Sequence, residues 1–360
     1  MKLRIPHDSP HIQTINLTVV LVIATIRIVQ VMSAVGNDLP IGGDTRAYLA
    51  SARAITHGID PIGNAGAVFL PEAPADIPPY FYPPLLALLL VPLASLPYPI
   101  ALGVWMLGVL ATTILLSVML KPLVGWKMAL IGVFFFLPTL ESLWLGQINA
   151  LIAVLIALIL SSTNEQSHRR LGMAVAVGAL LKITPILAAP VLLIKQRWMS
   201  LLALGMTIVG VVLLSLPFVH IETWINGSIY ALQSNVSSPL FASWTGILRR
   251  QSGMIATLGP PVVILTLLGL TFWRSRVINL QWGLTAATLL PLLISTIIWH
   301  YTTILALPAL ALLWHSGQRG KVIAGATWFL VSLVGGISQP FMLTICWAVC
   351  CWPSLLDAPT

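Results

Sequence analysis

Long apolar stretches recur along this chain, from Ile15–Val35 to Phe341–Trp352, with only small groups of basic residues between them. Such stretches are stable in a bilayer only as helices, which close their backbone hydrogen bonds internally. Charged residues make up 8% of the sequence, against about 25% in soluble domains. With 58% hydrophobic residues, no water-soluble core could absorb the apolar surface. The sequence therefore predicts an all-α, polytopic integral membrane protein, read as one membrane domain over residues 1–360.

Charge placement orients it. Lys2 and Arg4 put the N-terminus in the cytoplasm, so the polar stretch 36–84 becomes a first outer loop and 220–259 a second. Counting apolar runs gives about 10–12 crossings, although several runs fall short of the ~20 residues a perpendicular span needs. Those read as half-helices beside protein or a water-filled cavity. Leu171–Ile194 reads as a hairpin with Lys182-Ile183-Thr184-Pro185 at its outer tip. The net charge of +8 comes from scattered pairs such as Lys121/Lys127 and Arg169/Arg170, not from a patch, so no nucleic-acid partner is expected. Cys346, Cys350 and Cys351 all lie in the last apolar run and read as packed or lipid-facing thiols.

One segment breaks the pattern. Gly36–Pro84 is unsuited to a bilayer, and its Asp38, Asp44, Asp60, Glu72 and Asp76 are half of the 10 acidic residues in the chain. Within it Ala47, Tyr48, Ala50, Ala54 and Ile55 recur at helical spacing, predicting an amphipathic helix over Thr45–His57 in the membrane interface. The tail from Pro71 reads as irregular loop. Asp44 follows two glycines at the head of that helix. A carboxylate facing a cavity there suits a general base; as plain structure it suits a helix cap.

Other polar residues interrupt apolar sequence and carry the same two readings. Lys182 suits a lipid-linked phosphate, or is a lysine snorkelling to an interface. Gln147 and Asn149 in Gly146-Gln147-Ile148-Asn149 offer amides to sugar hydroxyls, or cap a helix. His300 and Tyr301, after Trp299, suit a phosphate or a stacked sugar ring, or mark the bilayer interface as Trp and Tyr do. Asn235, Ser238, Arg249 and Arg250 supply polar and phosphate-binding groups, or a solvated loop. Glu141 reads as an interface marker. No nucleotide-binding glycine loop, His-Glu-x-x-His, clustered Cys/His or Asp-x-Asp is present. No cofactor is expected, and a divalent metal is left open.

Taken in order, these residues resemble the polyprenyl-phosphate-mannose-dependent α-mannosyltransferases of glycosyltransferase family 87, within the GT-C superfamily. The resemblance runs through Gly43-Asp44 with Tyr48, Tyr82-Pro83-Pro84-Leu85, Pro92-Leu93 and Leu96-Pro97. It continues through Gly146-Gln147-Ile148-Asn149, Leu181-Lys182-Ile183-Thr184-Pro185 and Lys195-Gln196-Arg197-Trp198. Asn235-Val236-Ser237, Arg249-Arg250, Trp299-His300-Tyr301 and Pro308 complete it.

The resemblance implies a GT-C-type helical bundle and an inverting transferase at the outer face of the cell membrane. The donor would be a sugar on polyprenyl monophosphate, and the acceptor a hydroxyl of a glycan or glycolipid. Asp44 would take the acceptor proton. Lys182, with His300 and Arg249 or Arg250, would stabilise the leaving phosphate. Tyr48, Tyr82, Gln147, Asn149, Asn235 and Tyr301 would line the sugar and acceptor positions. Two rival readings are a lipid-linked sugar flippase or transporter, using Asp44, Lys182 and His300 as pathway charges, and an inactive accessory protein. A transporter is expected to show matched repeats, and the sequence has none.

Overall fold

The computed structural model describes residues 41–63, 69–71, 77–233, 243–295, 298–333 and 338–356, with five single positions between 22 and 33. The expected first helix over Ile15–Val35, the acids Asp38, Glu72 and Asp76, and Asn235 with Ser238 lie outside the described residues or are described only at those single positions.

The described chain is helical. In order, the helices are α1 (Gly43–Thr56), α2 (Leu85–Ala94), α3 (Tyr98–Val124), α4 (Trp126–Phe134), α5 (Leu137–Leu145), α6 (Asn149–Ser161) and α7 (His168–Leu181). A 3-10 turn, Thr184–Ala188, leads into α8 (Ala189–Ile194), followed by α9 (Trp198–Ser215), α10 (Ile221–Gln233), α11 (Trp244–Arg249) and α12 (Gly253–Ser275). After α13 (Leu280–Ile294) a second 3-10 turn, His300–Ala306, precedes α14 (Leu307–His315), α15 (Gln318–Leu333) and α16 (Ser338–Cys351). Among the described residues the only strand-like pairing is the bridge of Gly63 with Tyr80.

The architecture is the all-α, polytopic membrane bundle that the apolar runs predict. Its helices, however, are less uniform than a count of runs implies. Among the described residues α3, α9 and α12 are each long and apolar enough to cross a membrane alone, and the pair α4 and α5, bent by 60°, makes the length of a fourth. Helices α2, α6, α13 and α16 and the segment Thr184–Ile194 are shorter. Ten residues of helix reach only ~15 Å, about half of a bilayer's ~30 Å core. The 10–12 expected crossings thus do not appear as that many long helices; short elements in series replace them.

The breaks between short helices are what position the site. Pro185 stops α7 because a proline has no N–H to continue the ladder. Lys182 takes an extended conformation there (φ −153°, ψ 114°), and a Cβ on Gly178 would lie 2.9 Å from the Pro185 ring. In a straight helix seven residues would separate these two by ~10 Å along the axis. The chain therefore turns back sharply at Lys182.

Helix α1 forms where periodicity places it, within a residue or two. It is more enclosed than an interfacial helix would be, since every residue from Thr45 to Ile55 except Arg53 is buried. Arg53 fastens its far end, donating from Nε to the Ala94 carbonyl (2.9 Å) and from one terminal nitrogen to the Phe69 carbonyl (3.1 Å). The stretch read as a second outer loop also contains structure. It carries α10 and α11, and its last residues already belong to α12, which runs through Pro260 and Pro261 from a start at Gly253. The Thr223 hydroxyl of α10 donates to Asp60 at 3.1 Å, joining the two polar segments.

Candidate active site

The site begins with two glycines. Gly42, just before α1, and Gly146, just after α5, both adopt positive φ (69° and 68°). At Gly146 the chain closes α5 by a double bond pattern: Gly146 N–H donates to Leu143 O at 3.1 Å and Gln147 N–H to Ser142 O at 2.8 Å. That reversal is the Schellman motif, which needs a residue free of Cβ strain at its left-handed position. A Cβ on Gly146 would also fall 1.9 Å from the Thr45 hydroxyl. The Gly42 N–H donates to Trp144 O at 2.8 Å. The head of α1 is thus docked on the α5–α6 turn, and Asp44 meets Gln147.

Around that contact a polar network closes. The Gln147 Nε2 donates to Asp44 Oδ2. The Gln147 Oε1 accepts from the Tyr48 hydroxyl at 2.7 Å and the Tyr82 hydroxyl at 3.1 Å. Tyr301 is close enough to the Asp44 carboxylate to favour its charged form. Trp105 Nε1 holds the turn itself, donating to Gly146 O at 2.7 Å. The rings of Tyr48, Tyr80, Tyr82 and Trp105 pack edge to face, with centroids from Tyr48 to Tyr82 at 5.4 Å and from Tyr48 to Trp105 at 5.9 Å. Aromatic edges are electropositive and faces electronegative, so such pairs hold one another in fixed orientations.

Lys182 stands beside this group. Its Nζ donates to Asn149 Oδ1 at 2.7 Å and lies 5.5 Å from the Tyr82 ring centre. The Nδ2 of Asn149 and the hydroxyl of Thr184 are buried without a hydrogen-bond partner. Asp44 is only partly exposed, and burial raises its pKa above the ordinary carboxylate value. The bond from Gln147, the Tyr301 phenol and the charge on Lys182 oppose that rise without cancelling it. Asp44 lies in the first turn of α1, where the helix dipole favours an anion. It does not cap the helix, because the N-cap is Gly42 and no side-chain cap bond forms.

Of the sequence candidates, Asp44, Tyr48, Tyr82, Gln147, Asn149, Lys182 and Tyr301 come together. His300 does not join them. Its Nδ1 meets Glu141 Oε2 at 2.7 Å and its Nε2 meets Val331 O at 2.8 Å. Both partners are acceptors, so the ring fits them as a doubly protonated donor, and neither N–H is left for a phosphate. Arg249 and Arg250 are exposed at the end of α11.

Three residues have roles that the sequence alone does not show. Glu141, taken as an interface marker, is buried and holds His300. Trp105, within the apolar run of α3, supports the Gly146 turn. Arg46 is 2% exposed, two residues from Asp44. For Glu141 the available signal was an acid flanked by apolar sequence, which is stable only when paired. Among the described residues no three His, Cys, Asp or Glu side chains group as metal ligands would.

The profile of glycosyltransferase family 87 matches residues 80–296, more than half of the chain. The chain belongs to glycosyltransferase family 87. It is therefore an enzyme, a membrane glycosyltransferase, and the transporter and accessory readings give way to that. A family 87 match over these residues takes in Tyr82, Gln147, Asn149 and Lys182, while Asp44, Tyr48 and Tyr301 lie outside the matched range. The chain is also similar to a polyprenol-phosphate-mannose-dependent alpha-(1-2)-phosphatidylinositol pentamannoside mannosyltransferase of Mycolicibacterium smegmatis. That relative is 25% identical over 305 residues, 77% of this chain and 73% of its own length. No solved structure matches the chain.

Proposed function

We propose that this family 87 glycosyltransferase moves mannose from a polyprenyl-monophosphate donor to a hydroxyl of a glycan or glycolipid, at the outer face of the membrane and with inversion. The similarity to a polyprenol-phosphate-mannose-dependent relative supports the donor. One observation carries the mechanism: Asp44 is held by the neutral amide of Gln147, with the phenol of Tyr301 and the ammonium of Lys182 in the same cluster.

Asp44 takes the proton of the acceptor hydroxyl as its oxygen attacks the anomeric carbon. The bond from that carbon to the donor phosphate breaks on the opposite face, and the polyprenyl phosphate leaves with the electron pair. A single inverting displacement needs one base and forms no covalent intermediate. Negative charge grows on the leaving phosphate, and a fixed cation in a poorly hydrated site lowers the barrier there. Lys182 is that cation, and the unpartnered Asn149 Nδ2 and Thr184 hydroxyl add donors beside it. Gln147, with Tyr48 and Tyr82 on its carbonyl, is a positioning residue for Asp44.

The purified protein should transfer radiolabelled mannose from polyprenyl-phosphate mannose to a glycolipid extract, and not from a nucleotide-linked mannose. Transfer from the nucleotide sugar alone would overturn the donor assignment. Lys182→Ala should lower kcat more than it raises KM, because its charge acts on the departing phosphate. A change in KM alone would assign Lys182 to binding and remove it from the chemical step.

A further inference from the structure

An apolar cavity of about 550 Å³ opens between the far end of α3 and helices α4, α14 and α15. Leu120, Met128, Leu310, Trp314, Ala324 and Trp328 are among its lining residues. It is remote from Asp44: Trp105, at the site, and Leu120, at the cavity, are fifteen residues apart on α3, ~22 Å along the axis. Its volume falls within the range of about 300–1,000 Å³ typical of pockets for small organic ligands.

Two helix junctions border it, residues 121–127 where α3 meets α4 and 315–321 where α14 meets α15. The His315 ring bonds Leu123 O at 3.2 Å and ties them together. Together they carry Lys121, Lys127, His315, Arg319 and Lys321 and no acidic residue. All five are exposed. Lys121 adjoins Leu120, Lys127 adjoins Met128, and Lys321 is one turn from Ala324. Apolar volume and positive charge therefore adjoin.

We propose that this cavity holds one acyl chain of an anionic phospholipid whose phosphate is bound by Lys121, Lys127 and Lys321. Basic pockets between membrane helices recognise anionic headgroups through charge, while a zwitterionic headgroup offers no net attraction. The apolar lining gives the chain a dry slot, and the lysines fix the headgroup at its mouth. The site is separate from the Asp44 cluster and independent of the function assigned to it.

Native mass spectrometry of the full chain, with phosphatidylglycerol or phosphatidylcholine added at equal concentration, tests this. The protein should retain phosphatidylglycerol over phosphatidylcholine roughly tenfold or more. The exposed set Lys121→Gln, Lys127→Gln and Lys321→Gln should erase that preference without unfolding the protein. Gly132→Leu fills the cavity from a position where a Cβ meets nothing within 4 Å, and should lower retention of both lipids. Equal retention of the two lipids by the wild type would overturn the proposal. A preference that survives the lysine set, or retention unchanged in Gly132→Leu, would overturn it as well.

Discussion

Asp44 and Glu141 are enclosed by the same protein and held in opposite ways. Glu141 pairs directly with His300 at 2.7 Å, and the far ring nitrogen is occupied by Val331 O. Its charge is matched and its geometry closed. Asp44 is bonded by an amide, with a phenol beside it, while Lys182, whose charge acts on it, is bonded to Asn149 instead. A carboxylate locked to a cation is a poor proton acceptor. One held by neutral donors, with its pKa raised by burial, keeps its basicity. The difference teaches that enclosure alone does not mark a catalytic acid; the character of its partners does.

Substitutions should separate the two regions. Asp44→Asn keeps the shape of the side chain and removes the base, so mannosyl transfer should fall by roughly 10²–10⁴-fold with unchanged circular dichroism. Lys182→Ala should cost transfer on the order of 10²–10³-fold, and Lys182→Arg should recover part of it. If Lys182→Ala transferred at the wild-type rate, the leaving phosphate would need another partner.

Gln147→Leu should have a smaller effect on the maximum rate, about tenfold, and a distinct effect on its pH dependence. The Gln147 bond lowers the Asp44 pKa, so its loss raises that pKa further. The acid limb of the rate profile should then move to higher pH; a limb that stayed in place would break the link between the two side chains. Glu141→Ala leaves His300 with one acceptor and a buried charge, so it should lower stability by about 1–3 kcal/mol, read by thermal melting. Transfer at a temperature where the variant remains folded should change little. Arg249→Ala and Arg250→Ala alter exposed residues and should change transfer by less than about threefold, since exposed charges contribute little.

Much of the site was legible because its residues sit where helices must stop. Gly146, Pro185 and the polar triplet Trp299-His300-Tyr301 interrupt apolar sequence, and beside these breaks Gln147, Lys182 and Tyr301 come together with Asp44. The all-α membrane fold followed from composition for the same reason that lipid admits no unpaired backbone. The number of crossings was not legible, because hydropathy measures the length of an apolar run and not whether the chain bends within it. Helices α4 and α5 read as one run and are bent by 60°. The second outer loop reads as ending near residue 259, yet α12 is already helical at Gly253. The roles of His300 and Glu141 also escaped, because sequence shows which residues are polar and not which of them face one another across 159 positions.

The central claim is that Asp44 is the proton acceptor, and the pH dependence of transfer tests it most directly. With saturating donor and acceptor, the wild-type rate should fall on acidification through a single limb above the ordinary carboxylate range, as Asp44 takes up a proton. The residual transfer of Asp44→Asn should lack that limb. A limb at the same pH in Asp44→Asn would place the titrating base elsewhere and contradict the account.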